Sequence, residues 1–439
     1  MNFYIKNNSK RVVIEKIHIL FFGHKMSPMM KNFLKNISWT SFGFLVSSLI
    51  LFTVNVLAGR FLGPSGYGEY NFILSVASIV SLLIIMGFDS SSIKYISESK
   101  TDKDKNEYLS GSLWVVIFLA IVVLVVVFLA QNILKIFFDI KEEIIIVSVF
   151  YAALLGIRKI LSSFLSSLNF FKFQSVIMII ESLAVILLFL YLFVILGYNH
   201  YLYYIISLSF GILLFCLTTI LKIRKRVLRY DIDKILFLKR YAIVAFLTAL
   251  AIATPVSLIK LFIGKYLSIQ DLGIFSAYMA VTAIFVGQFI LIINNVFFPM
   301  VSSINDKRPI INKINKISFI SFIPITVIIF LVAFFMLKFY GDNYKFNIIY
   351  VGMLSVISSL LLINNFYRVI VQTYNEYYFK LHKFNYVNIL FLSAGLFFIN
   401  ILALNKMAYV IGMYMLYVVI NFFVLFLFTN YYIFKNKNI

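Results

Sequence analysis

The sequence predicts an all-α integral membrane fold: about twelve transmembrane helices in two six-helix lobes related by a pseudo-two-fold axis. Three observations predict it. Of the 439 residues, 62% are hydrophobic and only 13% charged, whereas a soluble domain carries about a quarter charged residues. Apolar runs near the ~20 residues needed to cross a bilayer recur along the whole chain. Matching segments also recur at one constant offset between the two halves.

The runs fall at 37–59, 70–88, 109–130, 144–166, 175–197 and 201–221, then at 241–263, 272–298, 317–337, 347–370, 384–404 and 408–433. They are too long and too uniformly apolar for barrel strands, which alternate apolar and polar over short segments. Too little sequence remains outside them to build a soluble domain. The longest internal connection, Lys222 to Arg240, splits the runs into two sets of six. The predicted organisation is therefore a cytoplasmic N-terminal segment (1–30), an N-lobe (31–221), a basic linker (222–240) and a C-lobe (241–439). The first 27 residues lack the continuous apolar core and small-residue cleavage site of a secretory signal. They read either as a short amphipathic surface helix or as an artefact of start-codon choice, with Met26 or Met29 as the true beginning.

Lysine and arginine mark the cytoplasmic side of a membrane protein. With a cytoplasmic N-terminus, that side holds 28 of them in its loops and termini and the other side 7. Both termini are thus expected in the cytoplasm. The net charge of +22 follows from this asymmetry and from attraction to anionic lipid headgroups. A nucleic-acid partner would need a folded basic module, and none is visible. One cysteine, Cys216, and four histidines leave no disulfide and no metal cluster, and no cofactor is expected. The absence of a GxxxxGK[ST] loop gives no support to nucleotide hydrolysis.

Residues 59–70 read GRFLGPSGYGEY and residues 264–275 read GKYLSIQDLGIF. At an offset of 205, Gly59 meets Gly264, Arg60 meets Lys265, Phe61 meets Tyr266, Leu62 meets Leu267, Gly68 meets Gly273 and Tyr70 meets Phe275. Both segments join the first two spans of their half. SLNFFKF at 167–173 likewise resembles part of QTYNEYYFKLHKF at 372–384, between spans four and five of each half. Chance matching of short apolar segments is the alternative, but the order is kept at two separated sites. Six spans per half make the halves parallel repeats, and transporters place substrate at the interface of such repeats.

The stretch from Ala58 to Glu98, AGRFLGPSGYGEYNFILSVASIVSLLIIMGFDSSSIKYISE, closely resembles the opening signature of the polysaccharide-exporter and oligosaccharide-flippase (Wzx-type) family. That family belongs to the multidrug, oligosaccharidyl-lipid and polysaccharide exporter superfamily. The shared elements are a GRxLGPxGYGxY link at Gly59–Tyr70 and an xGxD element around Gly87–Asp89. The resemblance implies a V-shaped, two-lobed fold in a bacterial inner membrane. It implies as cargo an undecaprenyl-pyrophosphate-linked oligosaccharide, moved from the cytoplasmic to the periplasmic leaflet, with glycan assembly machinery as partners.

Ionisable residues inside spans are costly and are functional candidates by default. Arg158 and Lys159 lie in span 4, Glu181 in span 5, Lys260 in span 7 and Arg368 near the end of span 10. Reflection across the turn at Asn169–Phe170 puts Arg158 level with Glu181. The pair is either a structural hairpin clamp or a site where Arg158 grips pyrophosphate while Glu181 exchanges a proton. Lys260 corresponds to Asn55 at the repeat offset. Asn55 ends a stripe with Ser41 and Ser48, and Lys260 shares a face with Thr254 and Ser257. These faces are read as lining a water-filled cavity between lobes, with interhelical glue as the alternative. The expected substrate-binding set is Lys260, Arg158, Lys159, Arg60, Asn55 and Arg368, and the expected ion-coupling residues are Glu181 and Asp89. Pro255 and Pro324 are expected to bend spans 7 and 9.

Four embedded basic residues against one acid favour an anionic cargo, which Arg grips bidentately and Lys as a point charge. The alternatives are a multidrug or cation antiporter, which would call for acidic groups in the membrane, and a polysaccharide polymerase. The polymerase would call for a large catalytic external loop, and the longest one here has about fourteen residues. The expected partners are thus a lipid-linked anionic oligosaccharide, membrane lipid, and protons or other ions.

Overall fold

The computed structural model describes residues 28–138, 141–226, 232–292, 297, 301, 307–373, 375–404 and 406–432. The predicted N-terminal surface helix lies outside them. Every regular element among the described residues is helical. The helices are α1 (Pro28–Ile85), α2 (Phe88–Glu98), α3 (Asp102–Phe138), α4 (Glu142–Ser167), α5 (Phe171–Leu190), α6 (Tyr201–Ile223), α7 (Ile232–Tyr266), α8 (Ile269–Ile292), α9 (Arg308–Tyr340), α10 (Ile348–Gln372), α11 (Asn375–Ile401) and α12 (Met407–Leu427). α5 and α12 each run on into a single π-helical turn.

Ten helices among the described residues are long and apolar enough to cross a membrane. α1 counts there as one, although its 58 residues would reach about 87 Å if straight. A bilayer core is about 30 Å thick, so α1 must cross twice. Its break is at Gly63, with φ 64° and ψ 177°, a conformation that only glycine adopts freely. Pro64 follows and has no N–H to continue the ladder. Together with the 24-residue α8, this gives the twelve crossings expected. α2 is short and does not cross. It starts after a turn in which Met86 and Gly87 both take positive φ, and it buries Phe88 and Ile96.

Lipid exposure of the outer helix faces follows from composition. Phe118, Leu129, Ile133, Ile136 and Phe319 are all largely exposed, which water would penalise and hydrocarbon does not. Within the N-lobe, small residues let helices close up, as membrane packing requires. A Cβ on Gly43 would strike Ser175 of α5, and one on Gly211 of α6 would strike Val185. Spans four and five are joined by a tight turn around Asn169 (φ 59°) in the first half; in the second, α10 ends at Gln372 and α11 begins at Asn375. That placement matches the second repeated segment. The helix carrying span 7 begins at Ile232, so the second half of the predicted linker is helical. Pro255 and Pro324 sit inside α7 and α9, which continue through them.

The repeat has a physical centre. The backbone at Gly68 lies so close to the carbonyl oxygen of Ile269 that a Cβ would overlap it, and Gly273 stands in the same relation to the carbonyl oxygen of Pro64. Residues 68 and 64 become 273 and 269 at the offset of 205, so each contact is the image of the other.

Candidate functional site

Beneath these glycines, at the same end of the bundle, polar side chains from both halves meet. Asn55 sits eight residues before the Gly63 break and Asn71 eight after it, about 12 Å along each arm of α1. Lys260 sits six residues before the end of α7, about 9 Å from it. Helix geometry therefore brings all three to one level. The Lys260 ammonium donates to Asn71 Oδ1 at 2.9 Å, and Asn71 Nδ2 donates to the carbonyl of Tyr67 at 2.9 Å. Tyr67 Oη donates to Asn55 Oδ1 at 2.7 Å. Tyr340 Oη, from the end of α9, donates to the same oxygen at 2.9 Å. Tyr344, in the loop after α9, donates to the carbonyl of Gly59 at 3.0 Å.

Three of these bonds join residues from opposite halves: Lys260 to Asn71, Tyr340 to Asn55, and Tyr344 to Gly59. Around them the rings of Tyr67, Tyr340 and Tyr344 meet edge to face, with Tyr67 and Tyr340 centroids 5.9 Å apart. Tyr70 packs on Tyr204 at 4.5 Å. The ring stack is apolar at its faces while its hydroxyls point at amide and carbonyl oxygens, which suits a site one layer below a water boundary.

Lys260 is partly buried, and among the described residues it forms no ion pair. The embedded cations of the N-lobe differ. Arg158 meets Glu181 bidentately, at 2.6 Å through Nε and 2.8 Å through Nη2, and its guanidinium lies 4.9 Å from the Phe215 ring. The Glu181 side chain is only 6% exposed. This pair is fully satisfied between α4 and α5. Lys159 meets Asp89, at the start of α2, at 3.1 Å. It is about half exposed, so the two residues expected to bind substrate and couple ions engage each other. Arg60 is exposed beside Gly341, and Arg368 is partly buried in the last turns of α10.

Of the eight predicted site residues, the structure brings Lys260 and Asn55 into one network and places the rest elsewhere. Lys260 bonds to Asn71, and Asn55 accepts from Tyr67 and Tyr340. Asn71, Tyr67 and Tyr340 connect them, and a reading led by charge passes over all three. Asn71 carried one available signal: it follows Tyr67 by one helical turn, at the edge of the repeated segment. Tyr340 carried none, being 285 residues from its partner. Among the described residues, no group of three or more His, Cys, Asp or Glu is placed to hold a metal ion.

The model of a family described as polysaccharide biosynthesis protein matches residues 33–305, more than half of the chain. No curated protein matches. Solved structures resemble the whole fold at low identity. An outward-facing multidrug resistance MATE family transporter of the MOP superfamily superposes with a TM-score of 0.60 at 12% identity, covering 90% of this chain and 94% of its own. An inward-facing one gives 0.58 at 11%, covering 88% and 96%. A MOP superfamily transporter from Pyrococcus furiosus, described as having a binding pocket of reversed polarity, gives 0.58 at 12%, covering 93% and 96%. These likenesses establish the V-shaped, two-lobed architecture.

Proposed function

We propose that this chain, which belongs to the polysaccharide biosynthesis protein family, is a flippase for undecaprenyl-pyrophosphate-linked oligosaccharide. It moves the cargo by alternating access from the cytoplasmic to the periplasmic leaflet of a bacterial inner membrane. The positive-inside asymmetry of the loops puts both termini in the cytoplasm. It also puts the 59–70, 264–275 and 341–347 segments on the periplasmic side.

The observation that carries the reading is Lys260: a cation inside the seam between lobes, held by a neutral amide instead of a carboxylate. A lysine in that setting keeps its charge available for a ligand. An anion with several acceptor oxygens, such as a pyrophosphate, complements it, and Asn55, Asn71 and the tyrosine hydroxyls offer neutral hydrogen bonds to sugar or phosphate. A cation antiporter would need the opposite sign here. Arg158 and Glu181 satisfy each other and are assigned to clamping spans four and five. Asp89 and Lys159 hold α2 to α4. Moving about two negative charges outward through an inside-negative potential releases roughly 2.3 kcal/mol per charge per 100 mV, enough to bias export without nucleotide hydrolysis. Protons or other ions would add to that drive, and glycan assembly enzymes would supply the cargo.

The test is transbilayer movement of labelled undecaprenyl-pyrophosphate oligosaccharide in proteoliposomes, with and without an imposed potential. Movement that follows the potential and is lost in Lys260→Ala is expected. Export of organic cations with no glycan movement would replace this reading with the antiporter.

A further inference from the structure

The repeated segment that first revealed the two halves also brings them together backbone to backbone, at Gly68 and Gly273. We propose that Gly68 and Gly273 form a two-fold backbone gate across the seam. Each glycine receives the other half's loop carbonyl, and the three inter-lobe hydrogen bonds below latch the gate shut. Its assignment to the periplasmic end rests on the orientation proposed above; the gate itself does not.

The geometry supports a gate in three ways. First, both contacts are backbone against backbone: Gly68 against the carbonyl of Ile269, and Gly273 against the carbonyl of Pro64 and the amide nitrogen of Gly68. A side chain at either glycine could not be accommodated by turning a rotamer, because the obstacle is main chain. Second, the two contacts are images about the pseudo-two-fold axis, so rocking one lobe about the other opens or closes both together. Third, the latch is made of neutral and singly charged hydrogen bonds, Lys260 to Asn71, Tyr340 to Asn55 and Tyr344 to Gly59. Each can be exchanged for water or for cargo oxygens without stranding a buried ion pair. Cargo bound at Lys260 takes the ammonium from Asn71, which couples loading to release of the latch.

The experiment uses the full chain with Cys216→Ala to remove the native thiol. Ser65 and Gln270 are exposed, each one residue beyond a touching carbonyl, and equivalent at the offset of 205. In Ser65→Cys/Gln270→Cys, a cleavable bis-maleimide is expected to link the two halves readily. Adding Gly68→Ala or Gly273→Ala should lower the yield several-fold. Gly352→Ala, where a Cβ meets open space, should leave the yield unchanged. A single Ser75→Cys, one turn below Asn71 and buried, should react slowly with an impermeant maleimide from the periplasmic side. The reaction should be several-fold faster when Gly68→Ala is added. Neither readout needs cargo, so failure of the flippase reading would leave them standing. Equal linking and equal labelling in the glycine variants would overturn the gate. With both glycines native, the link should also block surface-glycan display until it is cleaved. Display that continues while the link is intact would show a static contact and overturn the gate as well.

Discussion

Replacing Lys260 with methionine keeps the length and apolar stem of the side chain and removes only the ammonium. Two quantities set the expected effect. At ~4 Å and an effective dielectric of about 20, one lysine charge and one phosphate charge interact by roughly 4 kcal/mol. The net value of a charged hydrogen bond, after desolvation, is about 1.5–3 kcal/mol. The smaller range governs a site that already exchanges one hydrogen-bond partner for another, so transport should fall by roughly 10- to 150-fold. The assay is initial-rate flipping of labelled lipid-linked oligosaccharide in proteoliposomes under an inside-negative potential. Asn71→Ala is the control that separates cargo binding from interhelical glue. If Lys260 serves mainly to hold Asn71, the two variants lose the same activity. If Lys260 holds cargo, Asn71→Ala keeps the charge and loses much less. Flipping by Lys260→Met within a factor of two of the native rate would refute the cationic site.

Arg158→Met leaves Glu181 buried and unpaired and should destabilise the N-lobe by about 3–5 kcal/mol; Arg158→Met/Glu181→Leu should recover most of the thermal stability measured in detergent. Gly87 has φ 77°, and a Cβ there would run into the Ala242 carbonyl of α7. Gly87→Ala should therefore cost about 1–3 kcal/mol, read as a lower unfolding temperature. Tyr340→Phe removes one inter-lobe hydrogen bond of about 1 kcal/mol and should speed periplasmic labelling of Ser75→Cys about five-fold, without changing expression.

The span pattern was legible because lipid imposes it: apolar runs of fixed length leave little else to decide, and the structure departs only at edges. The run at 37–59 and the run at 70–88 appear as one helix with a single break at Gly63, because the link between them is itself helical after Pro64. Arg158 and Glu181 were also legible, since a turn at Asn169 fixes which residues of α4 and α5 share a level. The polar network was half legible. A search for ionisable groups finds Lys260 and, through the repeat, Asn55. It does not find Asn71 or Tyr340, because an amide and a phenol in a membrane protein look like ordinary interfacial residues until a cation or an oxygen is placed beside them. Lys159 and Asp89 were both legible as charged, but the sequence did not say that they neutralise each other.

The repeat itself explains which of its residues had to be kept. Between GRFLGPSGYGEY and GKYLSIQDLGIF the middle diverges: Gly63-Pro64-Ser65-Gly66 faces Ser268-Ile269-Gln270-Asp271. One break is held by a glycine of positive φ and a proline. The other is held by Ser268 and Asp271, which cap each other at 2.6 Å and 2.9 Å. Two different local chemistries thus mark the break between the first and second spans of each half. The gate contact tolerates that divergence because Pro64 and Ile269 contribute only carbonyl oxygens, which every residue has. What it cannot tolerate is a Cβ on the receiving side, and there the two halves agree, at Gly68 and Gly273. The glycines that the symmetric contact requires are retained in both halves, whereas Pro64 and Ile269, which touch through main chain alone, differ. Gly68→Ala paired with Gly273→Ala should therefore add little to either single substitution, because the two contacts share one axis and the first already holds both apart.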